Sequence, residues 1–241
     1  MHSFYPRSTS TLNLKWPSLL VLVRHGESEG NKYGRHHMAQ VMKKPSHQFG
    51  LTELGEQQAD ATARYIEKRF GADSFDGYFT STYVRARETF ARIFKDKEKD
   101  GQQIHPIIDA RINEITRGYA SLMSEEQLRE RYGQETITLE LNGWFHNIPL
   151  CGQSCVQIDH IIQSFLAFLR EACADKRVII VGHGTWINLC CRILTNRTIE
   201  HSEALHHAAF YKNASVTVFA KDKSGNLILE DENIAPIELE K

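Results

Sequence analysis

Two histidines in this chain each follow a short aliphatic run and precede a glycine. The run LLVLV leads into Arg24 and His25, and the run VIIVG leads into His183 and Gly184. Aliphatic runs without polar alternation are typical of strands buried on both faces, as in parallel sheets covered by helices. Both histidines would then lie at the carboxyl edge of the sheet, where open α/β sheets bind ligands. A cation and two imidazoles at that edge form a candidate functional site.

A third predicted strand brings another cation to the same edge. The short run GYFTS comes directly before TYVRARET, which contains Arg85. Arg85 would lie near the start of a helix, where unpaired backbone amides also favour an anion. Two arginines and two histidines would therefore converge. Arginine binds phosphate oxygens through paired N–H groups, so these residue types indicate a pocket for a doubly charged phosphate group.

Strand and helix patterns alternate along the remainder of the chain. Thr52 can cap one helix, and Ser154 with Gln157 forms a capping box before another. Apolar residues recur at helical spacing and predict three buried faces: Ala59, Ala63, Ile66 and Phe70; Ala86, Phe90, Ile93 and Phe94; and Ile158, Ile161, Phe165 and Phe168. The segments SVTVFA and NLILE are read as late strands. This alternation predicts an α/β fold, a three-layer α/β/α arrangement with a mostly parallel central sheet.

Length and composition restrict the class of protein. A chain of 241 residues with 41% hydrophobic content can build one sizeable α/β core, and we expect an N-terminal tail at 1–17 and a single domain at 18–241. Lys and Arg number 29 against 30 Asp and Glu, which argues against nucleic acid or a membrane surface as a partner. Five cysteines suit neither a disulfide framework nor a zinc ribbon. With no apolar signal or spanning segment in the sequence, we expect a cytoplasmic protein.

Six segments occur in an order that resembles the histidine phosphatase superfamily, also called phosphoglycerate mutase-like. They are LVRHGESEGN, LTELGEQQA, STYVRARET, NEITRG, VGHG and NASVT, and they extend from about residue 19 to 219. The first is specific in this context, and the others gain weight as an ordered set. The resemblance implies a phosphoglycerate mutase-like fold and phosphoryl transfer that needs no metal or other cofactor.

The resemblance also implies roles for the polar residues. His25 would be the nucleophile that becomes phosphorylated, and Glu114 would donate a proton to the leaving group. The phosphoryl oxygens would be held by Arg24, Arg85, His183, Asn31 and Gly184. A neutral imidazole is a competent nucleophile at cellular pH, and preorganised cations stabilise the transferring group. Two alternatives remain open: Glu114 in a solvated loop, and Asn31 serving only to turn the backbone.

The surroundings of this pocket favour hydrolysis over mutase chemistry. In the cofactor-dependent mutases of the family, a lysine and two adjacent arginines hold the substrate's carboxylate and second phosphate. An ungapped match places Glu125, Leu141 and Asn142 at those positions. We therefore expect a phosphomonoester hydrolase acting on a small-molecule or protein substrate, with a mutase and a non-catalytic phosphate-binding protein as alternatives. Gln153 stands where many relatives have glutamate.

The segment at 32–50 is longer than the matching loop of compact mutases. It carries Lys32, Arg35, Lys43 and Lys44, so it is either a basic lid, with Arg35 binding substrate, or a solvated loop. Five further histidines match no standard metal-ligand spacing and are interpreted as loop residues: His36, His37, His201, His206 and His207. Trp16, Trp144 and Trp186 are expected to pack rather than bind.

Overall fold

The computed structural model describes residues 15–32, 44–118, 126–127, 129–133, 143–146, 151–208 and 210–240. Its strands are β1 (Leu19–Arg24), β2 (Gly77–Thr80), β3 (Glu98–Lys99), β4 (Gln102–Gln103), β5 (Ile107–Ile108), β6 (Arg177–Gly182), β7 (Val216–Lys221) and β8 (Leu227–Ile234). Its helices are α1 (Glu29–Lys32), α2 (Glu53–Phe70), α3 (Val84–Ile93), α4 (Gly143–His146), α5 (Cys155–Ala172), α6 (Gly184–Thr195), α7 (Ile199–Ala208) and α8 (Pro236–Leu239).

A six-stranded sheet forms the centre of the fold, in the order β5-β2-β6-β1-β7-β8. The first four strands of this order are parallel, and β7 runs antiparallel to both of its neighbours. The mostly parallel sheet predicted from the sequence is therefore confirmed. The charged segment KDKEKDGQQ contains a second, small antiparallel ribbon formed by β3 and β4.

The sheet is covered by helices on both faces, which confirms the three-layer prediction. Along β1, Leu20 and Leu22 face a core shared with α5 and α6, whereas Val21 and Val23 face a second core shared with α2 and α3. Burial on both faces explains why β1 is a continuous aliphatic run. Trp186 is fully buried in the first core, while Trp16 and Trp144 pack against its edge, as expected.

The three amphipathic helices form where their caps and apolar spacing predict. The Thr52 side chain accepts a hydrogen bond from the Gly55 amide, and the capping box of Ser154 and Gln157 is present. Most of the predicted apolar faces are buried; Ala63, Phe70, Ile161 and Phe168 are partly buried and pack against the cores.

The fold corrects the expectation that three of the histidines lie in loops. His201, His206 and His207 lie on α7, not in a loop.

The five cysteines are free thiols. No helix among the described residues is long and apolar enough to cross a membrane. Residues 1–14 lie outside the described part of the chain, so the division into a tail at 1–17 and a domain at 18–241 stays a prediction.

Candidate active site

The register of the parallel strands β1 and β6 places their carboxyl ends, and the polar residues that follow them, side by side. Arg24 at the end of β1 pairs with Gly182 at the end of β6, so His25 and His183 follow their strands side by side. Their ring centroids lie 5.1 Å apart with an edge-to-face angle of 62°. The prediction that the two histidines face each other at the carboxyl edge is therefore confirmed.

The hydrogen bonds of His25 fix which of its ring nitrogens carries the proton. Nδ1 lies 2.7 Å from the Gly26 carbonyl oxygen, which can only accept, so Nδ1 carries the proton and Nε2 keeps its lone pair. Arg85 Nε donates to that Nε2 atom at 3.1 Å. Burial holds the pKa of His25 well below its ordinary value of 6.5, and the charges of Arg85 and Arg24 lower it further. The ring is therefore neutral at neutral pH.

A close backbone approach fixes the residues that follow His25. The Glu27 carbonyl oxygen would lie 1.9 Å from a Cβ atom at Gly55, so only glycine allows the first turn of α2 to come this near. Thr52 Oγ1 also donates to a Glu27 carboxylate oxygen at 2.7 Å. The pairing of the motifs RHGE and LTELG is thus a packing contact that positions the residues next to the histidine.

His183 is completely buried and is oriented by Ser81, the residue after β2. The Ser81 hydroxyl lies 2.7 Å from His183 Nε2 and accepts a hydrogen bond from the Tyr83 amide at 3.0 Å. When that hydroxyl donates to Nε2, the ring proton lies on Nδ1. Among the described residues Nδ1 is buried without a partner. Burial, followed by the charge of Arg85, holds the pKa of His183 well below 6.5.

The two arginines are held by backbone carbonyls and aromatic rings. Arg24 Nη1 donates to the Tyr211 carbonyl oxygen, and its guanidinium carbon lies 4.8 Å from the centre of the Phe210 ring. Arg85 Nη1 donates to the Ser46 carbonyl oxygen at 2.8 Å. Within the described residues Arg24 Nε has no partner although it is buried. Burial lowers the pKa of Arg24 to about 10, so both its charge and an unpaired donor are present at neutral pH.

Glu114 lies against the start of α6, next to these cations. Its Oε2 accepts from the Thr185 amide at 3.3 Å, and its Oε1 accepts from the Ile115 amide at 3.0 Å. The negative charge of Glu114 raises the pKa of both Arg24 and Arg85 and so partly opposes the effect of their burial. The carboxylate predicted from NEITRG is therefore beside the pocket.

The Asn31 side chain accepts hydrogen bonds from neighbouring protein groups in this structure. Its Oδ1 accepts from the Ser28 amide at 3.1 Å, from the Ser28 hydroxyl at 3.0 Å and from Asn213 Nδ2 at 3.2 Å. Asn213 Nδ2 also donates to the His25 carbonyl oxygen at 3.2 Å. Asn31 is thus linked to His25 through Asn213, and a direct contact with phosphate stays a prediction.

Gly184 lies where no larger residue fits. A Cβ atom there would come within 2.4 Å of the Phe210 ring and 3.3 Å of Arg24 Nε. The glycine therefore lets α6 begin directly beside Arg24. Arg35 and the remainder of 33–43 lie outside the described residues, as do Glu125, Leu141 and Asn142; the lid and the missing mutase cations stay predictions.

Sequence reasoning missed a supporting network behind Arg24. The Tyr211 hydroxyl donates to Glu232 Oε1 at 2.5 Å, and Arg197 donates to both Glu232 oxygens at 2.6 and 2.7 Å. The Tyr211 carbonyl oxygen accepts a hydrogen bond from Arg24, so this network holds Arg24 in place. Its members, Arg197, Tyr211 and Glu232, come from separate parts of the chain. No local pattern indicates it. Ser81 lies within the motif STYVRARET, but its hydrogen bond to His183 has no sequence signal of its own.

Acid should destabilise the fold through the two buried histidines. Their pKa values lie well below 6.5 in the folded chain, so below about pH 6.5 the unfolded chain binds more protons. We expect the free energy of unfolding to fall with decreasing pH in this range, by up to about 1.4 kcal/mol per pH unit for each histidine. Urea unfolding at pH 7.5, 6.5 and 5.5 measures this slope.

The matched control is the doubly substituted His25→Gln/His183→Gln protein, in which neither position titrates. Its free energy of unfolding should change less steeply over the same pH range. An equal slope in both proteins would assign the acid sensitivity to other groups.

Comparison with known proteins agrees with this geometry. The model of the histidine phosphatase superfamily (branch 1) matches residues 20–233. The chain belongs to the histidine phosphatase superfamily. It is similar, at 29% identity over 212 residues, to a 2,3-bisphosphoglycerate-dependent phosphoglycerate mutase of Parvibaculum lavamentivorans; the match covers 87% of this chain and 93% of the relative.

Solved structures share the fold at lower identity. The α-ribazole phosphatase of Shigella flexneri matches with a TM-score of 0.71 and 21% identity, over 90% of this chain and 96% of the other. Phosphoserine phosphatase of Entamoeba histolytica, solved with 3-phosphoglyceric acid, matches with a TM-score of 0.65 and 24% identity, over 90% and 96%. These likenesses concern the fold.

Proposed function

We propose that this protein is a metal-independent phosphomonoester hydrolase that acts through a phosphohistidine on His25. One observation carries the proposal: the lone pair of His25 Nε2 lies among donors that suit an anion. Arg85 Nε points at this atom, and two buried donors nearby, Arg24 Nε and His183 Nδ1, have no partner among the described residues. Buried unpaired donors are costly unless a ligand satisfies them, and a phosphoryl group has the oxygens to do so.

The reaction proceeds in two displacements. His25 Nε2 attacks phosphorus, the P–O bond to the alcohol breaks, and Glu114 gives its proton to the leaving oxygen. Water then attacks the phosphohistidine, the P–N bond breaks, and the Glu114 carboxylate takes the water proton. The arginines and His183 stabilise charge on the phosphoryl oxygens in both steps. Because Gly184 has no side chain, the start of α6 can lie directly beside Arg24 and the Phe210 ring.

Hydrolysis is preferred over a mutase reaction because the cations that hold a second phosphate are absent from the matching sequence positions, Glu125, Leu141 and Asn142. The curated relatives named as phosphoglycerate mutases are the specific reason to keep mutase activity as the second candidate. We propose a small-molecule or protein phosphomonoester as substrate, and a cytoplasmic location consistent with five free thiols.

The deciding experiment measures phosphate release from a panel of phosphomonoesters, together with 3-phosphoglycerate conversion in the presence of bisphosphoglycerate. Phosphate release from at least one ester should greatly exceed mutase turnover. Mutase turnover faster than every hydrolysis would reject the proposal in favour of the second candidate.

Chelation is expected to leave hydrolysis intact. The proposed charge-stabilising groups are the side chains of Arg24, Arg85 and His183, so prior dialysis against EDTA should change kcat/KM by less than about twofold. Assays with and without re-added Mg²⁺, Mn²⁺ or Zn²⁺ provide the measurement. Loss of activity that one of these ions restores would contradict the assigned chemistry.

A further inference from the structure

A cavity of about 140 Å³ opens beside Glu114. It lies at the carboxyl edge of the sheet, between the turn that follows β5 and the start of α5. Its lining residues are Tyr83, Ala110, Asn113, Glu114, Thr116, Gln153, Ile158 and Ile161. At roughly 30 Å³ for each water in the liquid, the cavity has the space of about five water molecules.

Glu114 and Tyr83 connect this cavity to the phosphate pocket. The Tyr83 ring lies 5.0 Å from the His183 ring and 4.8 Å from the Arg85 guanidinium carbon, and it also lines the cavity. Glu114 lines the cavity and acts electrostatically on both arginines. An alcohol whose oxygen receives a proton from Glu114 must have its carbon chain next to that carboxyl group, where the cavity begins.

The walls of the cavity combine an apolar side with two amides. Ile158 and Ile161 supply the apolar side. Asn113 Oδ1 accepts from the Thr82 amide and hydroxyl at 2.9 and 3.0 Å, which leaves its NH₂ group as the donor end. A ligand in the cavity therefore meets hydrocarbon on one side and N–H donors on the other.

Gln153 is held so that its amide nitrogen is the end left for a ligand. Its Oε1 accepts from the Thr116 amide at 3.1 Å, and its own backbone amide donates to the Thr116 carbonyl at 2.8 Å. Among the described residues Nε2 takes no partner. A glutamate at position 153 would place a negative charge at the same point of the cavity.

We propose that this cavity receives the leaving group and that Gln153 selects its charge: the preferred substrate is the phosphate ester of a compact alcohol bearing a hydrogen-bond acceptor such as a carboxylate. This inference rests on the proposed function and refines it. Asn113 and Gln153 donate to the acceptor, and the isoleucines pack on the short carbon chain. A cationic alcohol lacks the acceptor that these two amides require.

The test compares kcat/KM of wild type and Gln153→Glu for three small esters: phosphoglycolate, ethyl phosphate and phosphoethanolamine. They carry an anionic, a neutral and a cationic group at similar size. Gln153→Glu keeps the size of the side chain and the oxygen that accepts from Thr116. Any general effect of the added charge on Glu114 is common to all three esters, so the informative quantity is the ratio between them.

Wild type should prefer phosphoglycolate to ethyl phosphate and ethyl phosphate to phosphoethanolamine. Gln153→Glu should lower the phosphoglycolate-to-phosphoethanolamine ratio by at least about tenfold, because the new charge repels one leaving group and attracts the other. Gln157→Glu is the matched control, since Gln157 is exposed, lies one turn along α5, and can keep the capping box as glutamate. It should leave the ratio unchanged.

A ratio that moves by less than tenfold in Gln153→Glu, or moves equally in Gln157→Glu, would overturn the leaving-group assignment. So would a wild type that hydrolyses p-nitrophenyl phosphate but none of the three small esters. The proposed function would survive either result. It fails separately if no ester of any kind is hydrolysed and no phosphoenzyme forms.

Discussion

Replacing His25 by alanine is expected to lower kcat/KM for every phosphomonoester by at least about 10⁴-fold, to the detection limit of most assays. The variant removes Nε2, the atom proposed to form the covalent bond to phosphorus, and the imidazole of His183 cannot take its place. His183 Nε2 is engaged by Ser81, 2.7 Å away. The measurement is phosphate release under saturating and sub-saturating substrate.

A loss of activity alone could come from a damaged fold, so the control is a second variant and a second readout. His183→Ala should also be slow but should still form a phosphoenzyme when mixed with radiolabelled substrate and denatured in alkali, which preserves phosphohistidine. His25→Ala should form none. Thermal unfolding should show both variants folded at the assay temperature. A labelled His25→Ala protein would move the nucleophile elsewhere.

The strand ends were predictable because burial leaves a strong signal in the sequence. β1 and the end of β6 are aliphatic on both faces, and a polar residue after such a run must lie at the sheet edge. Parallel pairing then fixes the register of Arg24 with Gly182, and with it the contact of His25 and His183. This part of the site follows from local pattern plus one rule of sheet geometry.

The supports of the arginines were not predictable in the same way. Arg24 depends on the Tyr211 carbonyl, and Tyr211 in turn depends on Glu232 and Arg197. These residues are brought together by the return of β7 and β8 alongside β1, which no periodicity encodes. The partly buried ion pair of Arg197 and Glu232 forms only in the complete fold.

The reading of His201, His206 and His207 as loop residues was wrong because α7 lacks a clear apolar stripe. Its face toward α6 includes Ser202, whose carbonyl oxygen accepts from Asn188 Nδ2 at 2.9 Å, where a leucine would have made the helix evident. Because a polar residue makes this contact between helices, the apolar residues of α7 do not recur at the helical spacing from which a helix is predicted. Two of these histidines lie in an aromatic group: His206 stacks on Trp144 with 4.5 Å between ring centroids, and the His207 ring lies 5.2 Å from that of His206.

Glu114→Gln is expected to lower kcat/KM by about two to four powers of ten for an alkyl phosphate, and by much less for p-nitrophenyl phosphate. Proton donation matters in proportion to the basicity of the leaving oxygen. An alkoxide is strongly basic and cannot depart without a proton, whereas p-nitrophenolate is stable as an anion. Glutamine matches the size of glutamate but has no proton to transfer.

The comparison of two substrates within one variant separates chemistry from positioning. In the structure both Glu114 oxygens accept backbone amides, from Thr185 and Ile115. The glutamine carbonyl oxygen can replace only one of these acceptors, and the NH₂ group would face the other backbone amide, donor against donor. A resulting shift of the α6 start or of Arg24 would slow both esters by the same factor. Selective loss on the alkyl ester therefore identifies the proton donor. Equal losses would make Glu114 a positioning residue, and unchanged rates on both would return it to the solvated loop that its sequence also allowed.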